Sequence, residues 1–170
     1  MQLRGEPMDT KRLTRMALLT SFALIIFVIE LQIPPFLPLP GFKLGLANIV
    51  TVYAVYVLRP ADCALIVIAR ILLGTIIAGN PMALAMSLSG GLFCLIGMLL
   101  LSKVIDRRHI WVCSILGAAL HNLGQTAAAS AVMQTSAVFS YLPFLIVAGC
   151  AAGLFTGIMA QAAVNRLTRK

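Results

Sequence analysis

A chain of 170 residues that is 61% apolar and only 11% charged is excluded from the water-soluble class, where about a quarter of residues carry charge and so wide an apolar exterior aggregates. Its net charge of +8 does not mark a nucleic-acid binder, because the basic residues stand at the ends of apolar runs rather than on one face or in one tail. The length accommodates one domain of about six helices of ~20 residues each, the span of a bilayer.

Residues 1–15 form a polar segment carrying Arg4, Lys11, Arg12 and Arg15. The first apolar run, 16–33, is long for a signal-peptide core and lacks a small-residue cleavage site, so it is predicted to be a membrane helix. It is followed by Ile33-Pro-Pro-Phe-Leu-Pro-Leu-Pro-Gly41, whose prolines cannot continue a helix and make a stiff, partly apolar loop. The second run, 44–58, ends at Arg59-Pro60. The third, 61–79, ends at Gly79-Asn80-Pro81, and the fourth, 82–102, at the polar stretch Lys103 to His109. The fifth is 110–133 and the sixth 139–164, closed by Asn165 and Arg166. The pattern predicts an all-α membrane protein: a short cytoplasmic segment (1–15), one bundle of six transmembrane helices (16–166) and a cytoplasmic tail (167–170).

Charge sets the orientation. With the N-terminus inside, eleven Lys and Arg fall in cytoplasmic segments and Lys43 alone falls outside, Arg70 lying within a span. So strong a positive-inside bias predicts both termini in the cytoplasm and an even number of spans.

Polar groups deep in a bilayer are costly and therefore informative. At 1.5 Å per residue, Arg70 lies ~13 Å into the third span, while His121 on the fifth and Asn48 on the second lie ~16 Å in. Three helices thus bring polar residues to one level. His121 and Gln125 are four apart, and Asn122 and Gln125 three apart, so each pair is predicted to share a helix face. Glu30 stands at the outer end of the first span, with Lys43 across the proline loop. Two readings are open. Either the polar residues lock the bundle through interhelical contacts, or they line a cavity in which Arg70 meets an anionic or carbonyl group. In the second reading Asn48, Arg70, His121, Asn122, Gln125, Glu30 and Lys43 bind the ligand.

Gly149, Gly153 and Gly157 form a stripe four residues apart, which lets a neighbouring helix, or a partner protein, approach closely. Ala17 and Ser21 repeat the spacing weakly on the first span. Cys63, Cys94, Cys113 and Cys150 lack CxxC spacing and read as free thiols. There is no phosphate-binding lysine loop, no GxSxG and no HExxH. Asp9, Asp62 and Asp106 are singletons, so the paired acidic clusters that hold magnesium in soluble-type prenyl diphosphate synthases are missing. No metal, cofactor or enzymatic activity is expected.

Pro40-Gly-Phe-Lys-Leu-Gly-Leu-Ala-Asn-Ile-Val50, Ala69-Arg-Ile-Leu-Leu-Gly74, Ser89-Gly-Gly91 and Gly117-x-x-x-His121-Asn-x-Gly-Gln125 resemble the Gx transporter family, also catalogued as heptaprenyl diphosphate synthase component I, over residues 12 to 167. That family is similar to the substrate-binding membrane subunits of energy-coupling factor transporters, six-helix proteins that capture vitamins from outside. The resemblance implies a solute-binding subunit in the bacterial plasma membrane, energised by a separate ATPase module that docks on small residues of the first helix, here Ala17 and Ser21. It also implies that the proline loop closes over ligand. Two other roles stay open: a membrane component of a quinone or flavin electron-transfer system, since some relatives sit beside genes for flavin-based electron transfer, and an accessory subunit of heptaprenyl diphosphate synthase.

Overall fold

The structure, a computed structural model, describes residues 9–32 and 45–167, where all regular structure is helical. Six α-helices follow in order: α1 Thr10–Leu31, α2 Asn48–Val57, α3 Pro60–Ala78, α4 Pro81–Leu101, α5 Ile110–Met133 and α6 Leu142–Leu167. Short 3-10 segments at Arg107–His109 and Ser136–Tyr141 lead into α5 and α6.

The punctuation is local chemistry. Arg59 is extended directly ahead of Pro60, which opens α3 where no amide hydrogen is needed. Gly79 closes α3 in the left-handed conformation at φ +63°, which costs a glycine nothing. The Asn80 side chain accepts the Ala83 N–H at 3.2 Å and Pro81 follows it, so α4 starts at once. Gln161 of α6 accepts the Ile110 N–H at 2.8 Å and donates to the Arg107 carbonyl, clipping the start of α5 to α6.

Two boundaries differ from the hydropathy reading. α1 begins at Thr10 rather than at 16, because Asp9 caps it and Lys and Arg are good helix formers. Residues 10–15 are therefore helix, not a separate segment. The second apolar run gives a helix of only 10 residues, about 15 Å long. That is half of a ~30 Å hydrocarbon core. α2 is buried on nearly every side, with seven of its ten residues enclosed.

α2 touches all five other helices, which pack around it in the order α1, α3, α4, α5, α6. Glycines set the closest approaches. A Cβ on Gly153 lies 3.0 Å from the Ile115 Cα and one on Gly157 lies 2.6 Å from the Trp111 Cα. The stripe at 149, 153 and 157 therefore faces α5 inside the bundle. Gly117 and Gly124 seat α4 side chains in the same way, against Met98 and Phe93.

The polarity is inside out. Phe22, Ile29, Ile76, Ile96, Leu100, Val147 and Phe155 are all more than half exposed, while Glu30, Asp62, Arg70, Asn122 and Thr126 are buried. Water does not select such a surface; hydrocarbon does. Thr10–Leu31, Pro60–Ala78, Pro81–Leu101 and the stretch Ser136–Leu167 are long and apolar enough to cross a membrane. The protein is a membrane protein. α5, at 24 residues, has the length, but His121, Asn122 and Gln125 dilute its apolar character.

Candidate functional site

α1 and α3 are tied at one end by an ion pair. The Arg12 Nε lies 3.0 Å from both carboxylate oxygens of Asp62, and Nη2 lies 2.5 Å from Oδ1. Asp62 is buried, so this pair is a fixture of the fold. Towards the other end the same helices stay in contact, Gly74 of α3 against the Phe27 ring, and polar residues gather beside them.

Arg70 sits on α3 at 9% exposure, and its Nε is buried with no hydrogen-bond partner. It lines a cavity of about 30 Å³ together with Glu30 of α1, Gly45 and Asn48 at the start of α2, Ser87 of α4, and His121 and Gln125 of α5. Phe27, Ile71 and Gly74 form the apolar part of the wall. Asn48, Arg70 and His121, which the sequence places at one level, share this cavity with Gln125 and Glu30. The carboxylate of Glu30 accepts the Gly45 N–H at 2.6 Å, holding the chain just before α2 against the end of α1. Gly90 matters too. A Cβ there lies 2.9 Å from the His121 carbonyl and 3.0 Å from its ring, so only glycine lets α4 close on His121.

Asn122 faces elsewhere. Its Nδ2 donates to the Leu145 carbonyl of α6 at 2.6 Å, and it borders a smaller void of about 10 Å³, beside Gly149 and Thr156, that Asn48 and His121 also line. Adjacent helical residues are about 100° apart, so His121 lines both voids while Asn122 lines only the smaller. Ser114 and Thr156 add a 3.1 Å hydroxyl contact beside that smaller void. Lys43 and the proline loop lie outside the described residues. Ala17 and Ser21 are exposed on the outer face of α1, beside Leu18 and Phe22, and the Ser21 hydroxyl bonds back to the Ala17 carbonyl at 2.9 Å.

Ser87, Gly90 and Thr75 escaped the sequence reading, which weighed only ionisable and amide side chains. The Ser89-Gly-Gly91 motif was the available signal. Ser89 donates to the Gly124 carbonyl at 2.8 Å and fixes α4 on α5 at this height.

Chemically the cavity offers a guanidinium, a carboxylate, an imidazole, two amides and two hydroxyls around a space for one or two water-sized groups. A buried guanidinium donor without a partner costs free energy, and an anion or a carbonyl oxygen that accepts from the Arg70 Nε, beside the Glu30 carboxylate, relieves that cost. Among the described residues, no three His, Cys, Asp or Glu side chains gather as metal ligands.

The family model described as heptaprenyl diphosphate synthase component I matches residues 19–163. No curated protein and no solved structure matches the chain.

Proposed function

The chain belongs to the heptaprenyl diphosphate synthase component I family, and from that premise we propose that it is a membrane-embedded binding subunit for a small anionic or vitamin-like solute, similar in role to the substrate-binding subunits of energy-coupling factor transporters. The observation that carries this reading is Arg70, a buried cation whose Nε has no protein partner and which lines a polar cavity. A residue kept only to lock helices would spend its donors on neighbouring carbonyls, as Asn122 does on Leu145. The start of α2 adds to the case. A half-length helix that begins at the cavity turns its positive end towards an anion, a device that transporters use at mid-membrane.

In this reading the six helices run with both termini in the cytoplasm of a bacterial cell, and α2 is the incomplete crossing. The cavity then lies in the outer half, near the α1–α2 end. No phosphate-binding loop is present in the sequence, so uphill transport would require a separate ATPase module. Ala17 and Ser21, small and outward-facing among large apolar side chains, are the proposed docking stripe.

The test is native mass spectrometry of gently purified protein. The wild type should retain a small molecule, Arg70→Met should lose it, and Arg70→Lys should keep part of it. Equal retention by all three would remove Arg70 from the site. A retained quinone or flavin would instead favour the electron-transfer role.

The family description supports a second reading, an accessory subunit of a prenyl diphosphate synthase. The word component implies a second chain, and that chain would have to supply the acidic clusters missing here. Co-purification with a soluble prenyl diphosphate synthase, and a change in its product length, would favour this reading over the first.

A further inference from the structure

Next to the Arg70 cavity lies a second, larger space. A pocket of about 190 Å³ opens between α4, α5, the Ser136–Tyr141 segment and the start of α6. Met86, Ala129, Met133, Tyr141 and Leu145 make its wall largely apolar. Gln125, Thr126 and Thr135 add polar groups to it. Thr126 is 1% exposed, lines this pocket, and its hydroxyl has no hydrogen-bond partner.

That hydroxyl is unusual for its position. Thr14, Thr20 and Thr75 each donate to the carbonyl four residues earlier, at 2.8, 2.9 and 2.8 Å. This is the common resting place of a helical threonine hydroxyl. Thr126 forgoes it while buried, which leaves its hydroxyl on the wall of a largely apolar pocket, available to an occupant. Gln125 lines both spaces, so its side chain is the partition between them. Met86 and Met133 are unbranched and flexible, and a wall made of them yields to an occupant's shape.

We infer that the solute is an amphipathic monoanion: its apolar body fills the 190 Å³ pocket, a polar substituent meets the Thr126 hydroxyl, and its anionic head passes Gln125 to reach Arg70. This inference rests on the reading of the Arg70 cavity as a binding site. Size sets the class. An apolar cavity of ~150 Å³ holds one benzene ring, so this pocket takes one ring with a short substituent, or a branched chain of equal bulk. The roughly 30 Å³ beside Arg70 matches a carboxylate and is too small for the whole molecule. Neither space alone fits a vitamin-sized ligand, for which pockets of ~300 Å³ or more are usual; the two joined through Gln125 come closer.

The experiment measures binding of acetate, phenylacetate and 4-hydroxyphenylacetate to the full chain in nanodiscs by isothermal titration. Wild type, Arg70→Met, Thr126→Val and Ala129→Phe are compared, and each is first melted without probe to establish that it is folded. Phenylacetate should bind at least tenfold tighter than acetate. Ala129→Phe should erase that difference by filling the pocket. Arg70→Met should weaken all three probes. Thr126→Val is nearly isosteric and should fold as the wild type does. It should remove the extra affinity of the hydroxylated probe and leave phenylacetate unchanged. Equal wild-type affinity for acetate and phenylacetate, with Arg70 still required, overturns this inference while the Arg70 site stands. A ring-dependent affinity that ignores Arg70→Met separates the two spaces and also overturns it. No measurable binding of any carboxylate overturns both readings.

Discussion

Replacing Gly157 with alanine adds one methyl group where α6 meets α5. The new Cβ lies 2.6 Å from the Trp111 Cα and 2.8 Å from the Ser114 Cβ. The first of these is backbone and cannot rotate away, so the helices must separate by most of an ångström. Overpacking of this kind costs about 1–3 kcal/mol. Alanine regains up to ~1 kcal/mol in helix propensity. The net loss is about 0–2 kcal/mol, or a fall in melting temperature of up to roughly 8 °C for a chain of this size. A thiol-reactive fluorescent dye suits the assay, because Cys63, Cys94 and Cys113 are buried free thiols that unfolding exposes. Gly157→Leu should be far worse and give little folded protein. If Gly157→Ala melts at or above the wild-type temperature and Gly157→Leu folds normally, the stripe does not face α5 and the packing described above is wrong.

Other perturbations are simpler. Asp62→Asn removes the charge that Arg12 grips from α1. With Arg12 part-exposed, a loss of about 2 kcal/mol is expected, read as a drop of roughly 4–8 °C in the same melt; an unchanged melt would mean the pair contributes nothing. A reporter active only outside the cytoplasm, fused after Lys170, should stay silent, and strong signal would reverse the orientation. Ala17→Leu with Ser21→Leu should leave the melt unchanged, because both positions face outward. The same pair should abolish solute accumulation in vesicles that also contain the ATPase module. Intact accumulation would move the docking surface elsewhere.

The six helical stretches were legible because each apolar run is bounded by residues with a physical reason to stop a helix. Pro60, Gly79, Pro81 and the polar turn before Ile110 all mark real ends. The start of α1 was not, since hydropathy registers the bilayer edge, whereas Asp9 caps a helix that continues through charged residues. The brevity of α2 was hidden for the opposite reason: its run is apolar because α2 is enclosed by protein, not because it crosses lipid along its whole length. Within the site, helical spacing brought out His121 and Gln125 as one face but grouped Asn122 with them. Only the packed structure shows Asn122 turned to the Leu145 carbonyl. Asp62 read as an isolated acid because its partner is fifty residues away. Thr126 gave no signal, since a threonine in a membrane helix ordinarily bonds to its own backbone.

The central claim is that Arg70 is kept for a ligand and not for the bundle. Its Nε is buried without a partner, so in ligand-free protein that donor is a cost to the fold. Methionine has similar length and no charge, and replacing a buried charged group with a well-packed apolar one is often neutral or stabilising, by ~1–4 kcal/mol. The decisive measurement is the melting temperature of Arg70→Met against wild type, both stripped of bound small molecules. The variant is expected to melt at or above the wild-type temperature. A clear fall, of the size expected when a buried ion pair is broken (~3–5 kcal/mol), would contradict it and make Arg70 a structural lock.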